Sequence, residues 1–313
     1  MSIFKERVLP DLRSMRKFDV DYYIDQKTKL INKFFSDNGL DSAVIGLSGG
    51  VDSAVVYALL LEAQKIPGSP IEKVLGLIMP IRSTGTTGQN LAKDKAMDLA
   101  VALEGEYKVV DLSKANESYL SASGFTTSPD PWAIGQLASI VRTPCLYFHA
   151  ALLQSGGYRS IVVGTTNRDE GSYIGFFGKA SDAMVDLQPI ADIHKSEVYL
   201  VADKLNIPKF ITEDAPRGDV WDGKIDEEMI GAPYWFLEMY LLIKERKIPF
   251  SIEVGKCLTQ SGIMEFSDDE IEEYRKYSEA IEAIHQKNAH KYGVGSPAYF
   301  IDVYRRKIEG GWQ

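Results

Sequence analysis

Apolar and polar positions divide the chain into segments of two different periods. Over the first 40 residues, Tyr23, Ile24, Lys27, Leu30, Ile31, Phe34 and Phe35 fall on one helical stripe, and Gly39 stops the run. Short β-rich runs follow at 43–47, 74–79, 107–110 and 160–164, with helix-length segments at 52–65, 88–104 and 133–155 between them. The β-rich runs lack clean polar alternation, as strands buried on both faces do. The pattern therefore predicts an α/β fold: an open, doubly wound parallel sheet with helices on both faces. Such sheets bind ligands beyond the carboxyl ends of their strands, so the loops opening at Gly46 and Gly164 should face one crevice.

The stretches 81–90 and 113–131 are rich in Ser, Thr, Gly and Pro and read as loops, and 206–225 reads as a flexible loop carrying Pro216, Gly218 and Gly223. From Asp226 the pattern turns helical again, and Ser267-Asp-Asp-Glu270 is a capping box for a helix running to about Tyr292. No internal repeat interrupts this order. The expectation is a single domain over 1–313: an N-terminal helical segment to 40, a parallel-sheet core over 41–205, the loop, and C-terminal helices over 226–313.

The most informative chemistry lies at residues 46–53, Gly-Leu-Ser-Gly-Gly-Val-Asp-Ser, between the apolar strand Ala43-Val44-Ile45 and the apolar helix opening at Ala54. Two adjacent glycines remove Cβ atoms, so backbone N–H groups can wrap an anion. The helix start adds unpaired donors and the positive end of its dipole. Ser48 and Ser53 offer hydroxyls to phosphate oxygens, and Asp52 can hold a divalent cation on the same polyphosphate. A tight strand-to-helix turn with a Ser or Asp cap is the plainer alternative. The string lacks the Gly-Lys-Ser/Thr ending of a Walker loop.

Composition narrows the partners. With 45% hydrophobic residues among 313, the chain can bury a full core. A net charge of −9 disfavours nucleic acid as a main partner, because phosphate backbones recruit basic surfaces. Two cysteines, Cys145 and Cys257, cannot build a disulfide framework or a zinc site, which fits a cytoplasmic protein. No apolar stretch reaches the roughly 18–20 residues of a spanning helix, and Met1 to Arg7 lacks the core of a signal peptide, so no membrane partner is expected.

A second stretch completes the picture: Gly164-Thr-Thr-Asn-Arg-Asp-Glu170, then Gly175-Phe-Phe-Gly-Lys179, Asp182 and Asp186-Leu-Gln-Pro-Ile190. The 46–53 loop resembles the PP-loop of ATP pyrophosphatases. Together the two stretches resemble the synthetase domain of the ammonia-using NAD synthetases, over residues 22–300, with Asp219-Val-Trp221, Asp226-Glu227 and His290-Lys291 extending the likeness. The resemblance implies the Rossmann-like adenine nucleotide alpha hydrolase type of sheet, and a two-step ligase. The carboxylate of deamido-NAD attacks the α-phosphate of ATP to give an acyl-adenylate and pyrophosphate, and ammonia then displaces AMP. It implies Mg²⁺ as cofactor and a homodimer. Glutamine-using relatives carry a separate amidase domain before the loop strand, and only about 40 residues precede that strand here. Free ammonia, or delivery by a separate partner, is therefore expected.

By resemblance, Gly46, Leu47, Ser48, Gly49, Gly50, Val51, Asp52 and Ser53 form the ATP loop, Thr165 and Lys195 contact ATP, and Asp52 and Glu170 are the magnesium carboxylates. The spacing after Glu170 is one residue longer than the family pattern, which keeps Asp169 as a competing ligand. Asp52, Lys195 and Thr165 are the catalytic candidates. Lys179, Asp186, His290 and Lys291 match contacts to the dinucleotide. Taken singly, each has a plainer reading: Asp169 and Glu170 as solvated acids, Lys179 and Lys195 as surface lysines, Thr165 as a helix cap, His290 and Lys291 as cations at a helix end. His149 and His194 read as structural, and Phe176-Phe177 and Tyr234-Trp235-Phe236 read as core.

The departures lie on the acceptor side. Ile140 stands where the family places an arginine, with Arg142 two residues on as a possible replacement contact. Arg217, in Pro216-Arg-Gly-Asp219, stands where the family has a threonine near ATP, and could reach a phosphate. Lys179-Ala-Ser-Asp-Ala-Met184 replaces Lys-Tyr-Gly-Asp-Gly-Gly. An amide ligase of the same fold acting on a different carboxylate is therefore the alternative function, and a nucleotide-binding regulatory module without turnover a third.

Overall fold

A computed structural model of the chain describes residues 2–81, 87–124, 130–213, 225–248, 250–251, 256–259, 262–292, 299–300 and 302–303. After a π-helical turn at Phe4–Val8 come α1 (Leu9–Arg16) and α2 (Val20–Asp37). The alternation β1 (Ser42–Gly46), α3 (Val51–Lys65), β2 (Lys73–Ile78), α4 (Thr87–Ala102) and β3 (Glu106–Val109) follows. Then come α5 (Ser113–Ala122), α6 (Pro131–Ser155), β4 (Ser160–Val163), α7 (Arg168–Gly171), β5 (Leu187–Gln188), α8 (Lys195–Lys204) and α9 (Lys209–Thr212). The last part holds α10 (Asp226–Ile230), α11 (Tyr234–Arg246), β6 (Phe250–Ser251), β7 (Lys256–Thr259), β8 (Gly262–Glu265), α12 (Asp268–Asn288) and β9 (Tyr299–Phe300).

Six strands form one sheet in the order β3-β2-β1-β4-β5-β9, and every pairing is parallel. The order reverses direction at β1 and β4, which places a crevice beyond their carboxyl ends. Period-2 geometry divides the strand residues between two layers. Ala43, Ile45, Ile161 and Val163 pack with α2, α3 and α8 on one face, while Val44, Leu75, Leu77 and Val162 pack with α6 on the other. A third apolar cluster joins the N-terminal turn (Phe4, Val8), α1, α11 and α12, with Ile174 and Met264.

Four expectations need correction. Residues 113–122 form α5, because Asp111 Oδ1 accepts the Ser113 N–H at 2.9 Å at its start and Ala115 packs on the sheet's second layer. The loop expected over 81–90 has α4 from Thr87, and the one expected over 206–225 contains the helical turn α9. The region after 226 is not wholly helical: β6, β7 and β8 make a small antiparallel sheet, and β9 adds a parallel edge strand to the main one. These strands have two to four residues, too few to show a period, and their partners are distant in sequence. The Ser267–Glu270 capping box is present and opens α12.

Candidate active site

The loop at the tip of β1 is shaped by Gly49, whose φ is +83° and whose place a Cβ could not share: it would lie 2.5 Å from the Ala92 carbonyl oxygen on α4. Ser48 and Ser53 hold the turn from within. The Ser53 hydroxyl donates to the Gly50 carbonyl at 3.0 Å, and the Gly50 N–H donates to Ser48 Oγ at 3.2 Å. Gly50 is the N-cap of α3 and offers no side chain to the first turn, so the helix start is left open to an anion. Leu47 and Val51 are buried beneath the loop.

Facing this loop is the turn after β4. Asn167 ties the two together: its Oδ1 caps α7 by accepting the Glu170 N–H at 3.2 Å, and its Nδ2 donates to Asp52 Oδ1 at 3.0 Å. Thr165 therefore does not cap the helix; it lines the crevice with Gly46, Ser48, Arg142, Gly164 and Asp182.

Lys195 enters between the two loops. Its ammonium stands 2.5 Å from Asp52 Oδ2 and 3.3 Å from Glu170 Oε1, with only 5% of its side chain exposed. Burial opposes its charge, but Asp52 and Glu170 hold its pKa above the ordinary value. Burial also pushes the Glu170 carboxyl up to about 7; Lys195 pulls it down and Asp52 pushes it up. The Tyr234 hydroxyl donates to Glu170 Oε1 at 2.8 Å, and its ring lies 5.1 Å from the ammonium. Lys195 is thus no surface lysine, and Glu170 no solvated acid.

Asp169 is fully buried, and both its oxygens are taken. Oδ1 pairs with His194 Nδ1 at 2.6 Å, and Oδ2 accepts the Lys195 N–H at 2.7 Å. It fastens the start of α8 instead of facing Asp52. The turn before α8 is held again at Asp192, which accepts from Lys27 at 2.9 Å, from Tyr23 at 3.1 Å and from the Val303 N–H at 2.9 Å. His194 keeps the structural place expected of it.

The acceptor-side residues gather elsewhere and are differently employed. Lys291 donates to the carbonyls of Gly175 and Phe177 at 2.8 and 2.6 Å, and Lys179 donates to the His290 carbonyl at 3.2 Å. Asp186 accepts the Val162 N–H at 2.8 Å. Arg142 reaches the crevice and donates to the Met79 carbonyl at 3.2 Å, while Ile140 is 39% exposed on α6. Arg217 lies outside the described residues. Two site residues escaped the sequence reading. Asn167 belonged to a quoted motif without a role of its own, and Tyr234 lay in an aromatic run with no polar signal.

A family model described as NAD synthase matches residues 23–293. An NH₃-dependent NAD⁺ synthetase of Thermococcus kodakarensis is 32% identical over 249 residues, covering 80% of this chain and 89% of that protein. The one of Pyrococcus horikoshii is 33% identical over 265 residues, covering 85% and 93%. Among solved structures, NMN synthetase from Francisella tularensis superposes with a TM-score of 0.69 at 24% identity, covering 89% of this chain and 98% of that one. NH₃-dependent NAD synthetase from Campylobacter jejuni gives 0.62, also at 24% and with the same coverage; both likenesses bear on the fold alone. The phosphate-type loop, the Gly-Thr-x-Asn-x-x-Glu turn and the matched span agree: this chain belongs to the NAD synthase family.

Proposed function

We propose that the protein is an ammonia-dependent NAD synthetase, a ligase that amidates deamido-NAD to NAD while ATP is split to AMP and pyrophosphate. The observation that carries this reading is the meeting of Asp52, Lys195 and Glu170 beside an open glycine turn, in a member of this family. A carboxylate is a poor acyl donor, and transfer to AMP gives it a leaving group. As the α–β phosphate bond breaks, charge builds on the departing pyrophosphate. The N–H groups of Gly49 and the α3 start, the Ser48 hydroxyl and the Lys195 ammonium would receive it, with the Gly50 N–H and Ser53 hydroxyl exchanging their bonds within the turn for the anion. Thr165, assigned to the nucleotide, and Arg142, assigned to the acceptor, line the same crevice. Arg217 is assigned to the same nucleotide from sequence alone.

The residues fit Mg²⁺. Asp52 and Glu170 are hard oxygen donors on separate elements, near enough for one ammonium to touch both, and each is steadied by a neutral donor, Asn167 or Tyr234. Among the described residues no group of three or more His, Cys, Asp or Glu could hold a metal. Two carboxylates completed by phosphate and water oxygens suit Mg²⁺. Bound there, the ion would neutralise charge on the leaving group. Ammonia as nitrogen donor follows the relatives' names.

A homodimer is part of the proposal. Trp132, Ile140, Phe148 and Leu152 leave apolar surface exposed along α6, and 140, 148 and 152 recur at helical spacing. The assignment to the cytoplasm follows from the use of ATP and the two cysteines. Among the described residues no helix is long and apolar enough to cross a membrane.

The deciding experiment measures pyrophosphate release from Mg–ATP with and without deamido-NAD and ammonium. Release that depends on deamido-NAD is expected. Release with another acid, such as the mononucleotide, would instead favour a same-fold ligase for a different carboxylate. That second reading draws on Ile140, on Lys291, which donates to two backbone carbonyls, and on Asp186, which is taken up by the Val162 N–H and the Tyr147 hydroxyl.

A further inference from the structure

We propose that Lys195 does more than meet phosphate: in the nucleotide-free enzyme its ammonium fills the place between Asp52 and Glu170 that the divalent cation takes in the reaction, so the cation enters together with ATP and not alone. The inference rests on the functional reading above and adds an order of binding to it.

The geometry is that of an internal counter-ion. One ammonium touches Asp52 Oδ2 at 2.5 Å and Glu170 Oε1 at 3.3 Å, and the three side chains are 5%, 18% and 16% exposed. Two carboxylates this close and this poorly hydrated repel one another unless a cation lies between them. The rest of the setting holds the ammonium in place. The Tyr234 ring stands 5.1 Å away, and the Lys195 backbone is fixed by Asp169 through its N–H at 2.7 Å. Glu197, in the same first turn of α8, accepts the His194 N–H at 2.9 Å and is ion-paired to Arg16.

A divalent ion arriving by itself would meet that positive charge at hydrogen-bond range of both of its ligands. To coordinate, it must drive a buried ammonium away from the acids, which is strongly unfavourable when the ammonium gains no new partner. ATP changes this. Its phosphates, seated on the glycine turn, offer the ammonium an anion within reach of the same flexible stem, while the metal takes the two acids. Each cation then has anionic partners both before and after the exchange. No bond is made or broken in the protein; only partners change.

The test compares wild type with Lys195→Met and Lys195→Gln, using Mn²⁺ alone as the probe. Electron paramagnetic resonance counts free Mn²⁺, and thermal melting reports stabilisation. The expected result is binding of Mn²⁺ at least ten times tighter in the variants than in nucleotide-free wild type. A Mn²⁺-induced rise in Tm should appear in the variants and not in wild type. Wild type should take up one Mn²⁺ once a non-hydrolysable ATP analogue is added. Should Lys195→Met be recovered unfolded, refolding by Mn²⁺ alone counts for the inference, and Lys195→Gln supplies the affinity comparison. Equal Mn²⁺ affinity in wild type and variants, or variants that Mn²⁺ neither binds nor refolds, overturns the inference and leaves the Mg–ATP reading standing. No Mn²⁺ uptake by wild type with the analogue present would overturn that reading itself.

Discussion

The nucleotide half and the acceptor half of the site are built on different terms. Around the loop at 46–53, Asp52, Glu170 and Lys195 are mostly buried and meet other functional groups: Asp52 with Lys195 and Asn167, Glu170 with Lys195 and Tyr234. On the acceptor side, Lys179, Lys291 and Asp186 bind backbone groups, and Ile140 and Met184 present apolar surface to solvent. The lesson is about preorganisation. Charge that must be met in the transition state is fixed beforehand, because in a poorly hydrated crevice reorganising it would cost as much as it returned. Recognition of a large acceptor can rest on surfaces that the acceptor, or a second subunit, completes.

Substitutions can break this contrast, and the largest effect should come from its centre. Asp52→Ala should lower pyrophosphate release at least about a thousandfold, since it removes a charge at the reacting phosphates, while circular dichroism and melting show the fold retained. Full activity in that variant would falsify the metal role. Tyr234→Phe keeps the ring and removes one hydrogen bond to a carboxylate, worth about 1.5–3 kcal/mol. Its kcat/KM for Mg–ATP should fall about 10- to 100-fold, with KM for deamido-NAD unchanged; a fall in both alike would mean general loosening of α11.

Smaller effects should sharpen the contrast from the other side. Ile140→Arg restores a charged donor on α6 and should lower KM for deamido-NAD about three- to tenfold, an order of magnitude typical of one added charged contact; KM for ATP should stay constant. Unchanged kinetics would show that this acceptor surface is organised differently from that of its relatives. The smallest effect concerns stability against pH. The Glu170 carboxyl titrates near 7 in the folded metal-free protein against 4.5 for the free group. Being raised, it contributes stability that is complete below pH 4.5 and is lost as pH rises through 7. Glu170→Gln has no proton to lose. Without metal it should match wild type at pH 5 and melt about 2–4 °C higher at pH 8, a gain of about 1–2 kcal/mol. A gain of equal size at both values would assign it to packing.

Local pattern was enough for β1 to β4 and the long helices between them, with α5 missed. Buried parallel strands announce themselves as apolar runs and their crossover helices as longer periodic ones, so β1 to β4 and α3, α4 and α6 stand within a residue or two of where the pattern placed them. The loop at 46–53 was legible for the same reason, since glycine pairs and a helix start are local facts. The strands β5 to β9 were not legible, because two to four residues carry no period and their partners lie far along the chain.

At the site, by itself the sequence determined which chemical groups are present: a glycine turn, the acids at 52, 169 and 170, and the lysine at 195. Only the tertiary structure decided between neighbours. It turned Asp169 inward to His194 and left Glu170 beside Asp52, and it lifted Tyr234 out of an aromatic run to the edge of the crevice. The reason is physical. A side chain's role depends on which charges and dipoles surround it once water is excluded, and those neighbours come from elements as far apart as α3, α8 and α11, which no local stretch of sequence brings together.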